Sequence, residues 1–110
     1  PVSSLEEHVR LETVQGDSGK DALERVLRSR QKTILSCYER ATRGGMVLKG
    51  PVVVSLSVSG GQAGDLSLDA APDHEGLARC VKKRLGRLRF PASLEGNFYV
   101  TWMIGEPDLD

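Results

Sequence analysis

"PVVVSLSVSGGQAGDLSLDA", residues 51–70, decides the fold class. Val52, Val54, Leu56 and Val58 fall on one side of an extended chain, and Val53, Ser55, Ser57 and Ser59 on the other. This period of two predicts a strand over 51–59 with a buried valine face and a solvated serine face. "GGQAG" (60–64) reads as the turn, and "DLSLDA" (65–70) alternates again with Leu66, Leu68 and Ala70 inward. The two runs predict an antiparallel hairpin with a loop longer than the minimal two residues.

Outward from the hairpin, the period changes. Towards the N-terminus, Leu23, Val26, Leu27, Ile34, Cys37, Tyr38 and Ala41 recur at three- and four-residue spacing, with one gap at Arg30. The pattern predicts one helix over 19–43, ended by Gly44-Gly45 and capped by Asp17 or Ser18. "HVRLETV" (8–14) alternates weakly and reads as a short first strand. Beyond the hairpin, Leu77, Cys80, Val81, Leu85 and Leu88 form a second helical stripe, with Asp73 as its cap and Phe90-Pro91 as its stop. "NFYVTWMI" (97–104) is the last strand: Phe98, Val100, Trp102 and Ile104 share one face, and Tyr99, Thr101 and Met103 the other.

The order β-α-β-β-α-β predicts an α+β fold, two helices packed on one face of a three- or four-stranded antiparallel sheet. The 110 residues suffice for one domain with a modest core, placed at about 8–104, with flexible ends at 1–7 and 105–110. Hydrophobic content of 39% and charged content of 27% fit a folded globular chain. No apolar run reaches the roughly 20 residues of a membrane-spanning helix. Pro1 opens a polar stretch with no signal peptide, so the chain reads as a piece cut from a longer protein.

Net charge is zero, yet thirteen of the fifteen Lys and Arg residues lie in two segments, 20–43 and 73–89. Clustered cations raise the alternative of nucleic-acid or anionic-lipid binding through the helix faces. Aromatic content of 5% and the lack of a base-recognition motif weigh against nucleic acid. No Ser-His-Asp set, phosphate loop, carboxylate pair or metal motif stands out, so the sequence implies neither an enzyme nor a cofactor nor a small-molecule substrate. The only two cysteines, Cys37 and Cys80, lie one on each helical stripe. From spacing alone they are equally well a pair of buried thiols or a disulfide; a bridge would close a loop of about 43 residues.

One resemblance extends this reading. Ile34, Cys37, Tyr38 and Glu39 at the end of the first helix, Leu48 and Gly50 before the strand, Gly60, Gly61 and Gly64 in the hairpin, Cys80, and Phe90-Pro91 form a series. It resembles the TonB-like periplasmic C-terminal domain of the AgmX/PglI type found in myxobacteria, over roughly residues 20–104. The resemblance implies a periplasmic location, at the end of an inner-membrane-anchored protein. It implies a Cys37–Cys80 disulfide, as suits an oxidising compartment. It also implies a protein-interaction module that couples an inner-membrane motor to an outer-membrane partner, in gliding motility or in energy transduction for nutrient uptake. The expected mode is β-strand addition at the last strand, taken as a sheet edge, with Asn97, Tyr99, Thr101 and Met103 supplying selectivity. The plainer reading of these four residues is the exposed side of a strand.

Overall fold

A computed structural model describes residues 7–105. Apart from Glu7 and Gly105, the ends expected to be flexible lie outside the described residues. The strands are β1 (Val9–Gly16), β2 (Gly50–Ser59), β3 (Gln62–Ala70) and β4 (Gly96–Ile104); the helices are α1 (Lys20–Ser29), α2 (Gln31–Thr42) and α3 (Glu75–Gly86). The chain is α+β, with a four-stranded antiparallel sheet in the order β1-β4-β2-β3.

The alternation of β2 and β4 carries the core. Val52, Val54, Leu56 and Val58 of β2 and Phe98, Val100, Trp102 and Ile104 of β4 are all buried, and the register sets Val52 beside Trp102 and Leu56 beside Phe98. Helix side chains close over this face: Leu23 and Leu27 from α1, Ile34, Leu35, Cys37 and Tyr38 from α2, and Leu77, Val81 and Leu85 from α3. Burying side chains of this size yields about 1.5–3 kcal/mol each, so this one cluster dominates the stabilising terms. Trp102 is 1% exposed, and its indole Nε1–H has no hydrogen-bond partner among the described residues.

The expected first helix is two. Continued helical spacing would set Arg30 on the same stripe as Leu23, Leu27 and Ile34, where a guanidinium cannot be buried unpaired. The chain leaves helical geometry there instead, with Arg30 at φ −113° and ψ 24°, and Arg30 lies exposed between α1 and α2.

The hairpin turn is tighter than expected. Gly60 and Gly61 have φ of 59° and 80°, the left-handed pair that a two-residue turn requires, and β3 resumes at Gln62. Gln62, Ala63 and Gly64, expected in the loop, pair with Ser59, Val58 and Ser57, and a bulge follows them: Ser57 pairs with Gly64 but Ser55 with Ser67, and Asp65 takes φ 48°.

Both expected caps are displaced. Asp17 does not cap α1, whose N-cap is Gly19. The α3 cap is His74, whose Nδ1 accepts from the Leu77 N–H at 2.9 Å, because α3 begins one turn position beyond where Asp73 would serve.

Candidate protein-interaction surface

With all three helices drawn onto one face, the other face of the sheet stays open. On it the register aligns Gln15, Tyr99, Ser55 and Ser67 across four strands, Thr13, Thr101 and Val53 across three, and Arg10, Met103 and Pro51 likewise. Tyr99 is 53% exposed and stands above a floor of small hydroxyl side chains. Along β3, two carboxylates are held by serines: Asp65 Oδ2 accepts from Ser57 Oγ at 3.3 Å, and Asp69 Oδ1 accepts from Ser55 Oγ at 3.4 Å and Ser67 Oγ at 3.3 Å.

Asn97, Tyr99, Thr101 and Met103 therefore do share one solvent-facing side of β4. The strand itself is not an edge. It pairs with β1 on one flank and β2 on the other, so its backbone groups are engaged on both sides and no further strand can join it. Side-chain alternation reports which face a residue occupies and carries no information about lateral neighbours, so the sequence could not have placed β4 in the centre.

The edges are β1 and β3, and they differ. A helix lies beside each of them, α1 at β1 and α3 at β3. On β1, the Gln31 side-chain amide donates to the Val9 carbonyl, and Gly105 N donates to the His8 carbonyl just before the strand at 2.8 Å. At the mouth of β3, Phe90 N donates to Gly61 O at 2.9 Å, and Gly64 O accepts from Ser57 Oγ at 3.3 Å. From Gln62 to Ala70 no other backbone bond leaves the pairing with β2, among the described residues. A row of outward N–H and C=O groups is thus available along β3. Its two register irregularities, near Asp65 and near Asp69, are the kind of feature that keeps an edge from pairing indiscriminately. The sequence signal for this edge was the acid-bearing, short alternation of 65–70.

On the helix layer, Cys37 and Cys80 are joined as a disulfide, with Cα atoms 5.7 Å apart and 43 residues between them in sequence. Cys37 is 1% exposed and Cys80 half-buried, so the bridge ties the middle of α2 to the middle of α3 from within the core outward. Tyr38, next to Cys37, is buried at 6%, and its hydroxyl lies 3.0 Å from His8 Nδ1. No described helix is long and apolar enough to cross a membrane. No protein-family model, curated protein or solved structure matches the chain.

Proposed function

We propose that the chain is a TonB-like protein-interaction module of the AgmX/PglI type, working in the periplasm. In this reading it couples an inner-membrane motor to an outer-membrane partner in gliding motility, and it takes an extended partner segment as an additional strand on β3. The observation that carries the reading is the asymmetry of the sheet edges: β1 is plugged at Val9 by Gln31, and from Asp65 to Ala70 no backbone bond of β3 leaves its pairing with β2, among the described residues. Strand addition draws affinity from those groups and selectivity from side chains at alternate positions. The Cys37–Cys80 bridge supports the location, since disulfides persist in oxidising compartments. It also suits a coupling role, because a covalent tie between helices resists shear.

The test is amide hydrogen exchange on the complex captured from outer-membrane extract by a photo-cross-linker at Ser67. Protection rising along Gln62–Ala70, with β1 and β4 unchanged, is the expected result. Unchanged exchange in β3 would remove strand addition. A cross-linker at Tyr99 that captures the same partner in its place would move the contact to the open face of the sheet.

A further inference from the structure

The groove between α2 and α3 concentrates positive charge far beyond what the fold needs. The two helices run antiparallel, with the disulfide midway along the groove. One concavity is lined by Arg40, Arg79, Cys80, Lys83, Arg84 and Arg87, and the adjoining one by Arg30, Thr33, Arg84, Arg87, Leu88 and Arg89. Arg84 and Arg87 belong to both, so the two form one continuous trough. Its cations come from both walls at helical spacing: Arg30 and Arg40 on the α2 side, and Arg79, Lys83 and Arg87 one turn apart along α3.

Of these seven cations only Arg79 has a carboxylate partner among the described residues, Glu75 at 2.6 Å. The other six lie close together with no carboxylate partner among the described residues. Like charges at i, i+4 destabilise a helix, and only Arg40, Lys83 and Arg84, in the last turns of α2 and α3, gain something back from the helix dipoles. Six of the seven are arginines, whose planar forks match carboxylates in a bidentate way.

We infer that this trough is a second binding site, one that receives an extended, carboxylate-rich protein segment. It is separate from the β3 edge and does not depend on the use of that edge. Three features select this occupant. The trough contains no aromatic side chain on which a nucleobase could stack. Its cations come from both walls of a concavity between two helices, a shape that suits a narrow chain better than a flat bilayer. Its length also fits: α2 rises about 15 Å between Arg30 and Arg40, a distance that about five extended residues span.

The experiment uses the whole chain with its disulfide intact and a dye-labelled oligo-glutamate peptide as the probe, read by fluorescence anisotropy. Competitors are a single-stranded oligonucleotide of equal charge and vesicles of phosphatidylglycerol in phosphatidylcholine. Saturable binding that weakens as salt rises is expected. Lys83→Glu with Arg87→Glu should weaken it by about tenfold or more, and Arg40→Glu on the opposite wall should also weaken it, guarding against local unfolding of α3. Lys82→Glu, on α3 but outside both concavities, should change it by less than about twofold. The inference is overturned by an absence of saturable binding. An equal loss with Lys82→Glu, which would mean that only net charge matters, overturns it as well. So does tighter binding of the oligonucleotide or the vesicles than of the peptide.

Discussion

Asp17 and Asn97 hold each other by two hydrogen bonds at the end of β1. The Asp17 N–H donates to the Asn97 carbonyl at 3.2 Å, and Asp17 Oδ2 accepts from the Asn97 N–H at 3.0 Å. This clasp is why Asp17 is unavailable as a cap for α1. It also brings the neighbouring backbones so close that Gly16, at φ +142°, would place a Cβ 2.3 Å from the Asn97 oxygen. Gly16→Ala is expected to destabilise by about 2 kcal/mol or more, from a left-handed conformation and a backbone clash together. Gly44→Ala, where an added Cβ meets nothing within 4 Å, is the control and should be close to neutral. Urea denaturation of the two variants makes the comparison.

His74 caps α3 through its ring nitrogen, an unusual choice where Ser, Thr, Asp or Asn prevail. His74→Ala should cost about 1 kcal/mol, and His74→Asp should restore most of it, since a carboxylate also favours the positive end of the helix. Both follow from the shift in denaturation midpoint at neutral pH.

The bridge between Cys37 and Cys80 acts chiefly on the unfolded chain. Closing 43 residues is worth about 4 kcal/mol in the chain-entropy model. Reduction, or Cys37→Ser with Cys80→Ser, should lower the unfolding free energy by about that amount. Single-molecule pulling should show a lower unfolding force after reduction; an unchanged force would remove the mechanical role of the tie.

Trp102 offers a test in which two effects oppose. Trp102→Phe opens a void in the core, and it also deletes a buried N–H that lacks a partner, a defect worth about 1–3 kcal/mol. The expected net change is within about 1 kcal/mol. Phe98→Ala, at an equally buried site on the same strand with no such relief, should cost about 3–5 kcal/mol.

These residues also show what the sequence discloses and what it hides. The period-two runs at 51–59 and 97–104 identified both inner faces, because alternation is a direct image of burial. Arg30 was visible as a gap in the helical stripe, and the break in the helix falls there because a charge cannot lie on a core stripe. The turn reads too long because Gln62, Ala63 and Gly64 have loop composition, and only their pairing with Ser59, Val58 and Ser57 makes them strand. The central place of β4 was hidden for a related reason: lateral order is decided by which strands meet over the core. The trough between α2 and α3 was legible only as two basic segments, since the antiparallel packing that merges them is tertiary.

The position of β4 bears on how the molecule is made. The strand that joins β1 to the hairpin is the last element of the described chain, so β1 and β2 have no partner in common until Gly96–Ile104 arrives. Contacts of such long sequence separation are slow to form, because loop-closure entropy is lost before they reward it. A chain emerging from its N-terminus can form helices and the β2–β3 hairpin early, but the sheet closes only when its final strand is delivered. Until Gly96–Ile104 emerges from synthesis the domain stays open, and only with that strand do the faces of β1 and β2 lock into one sheet.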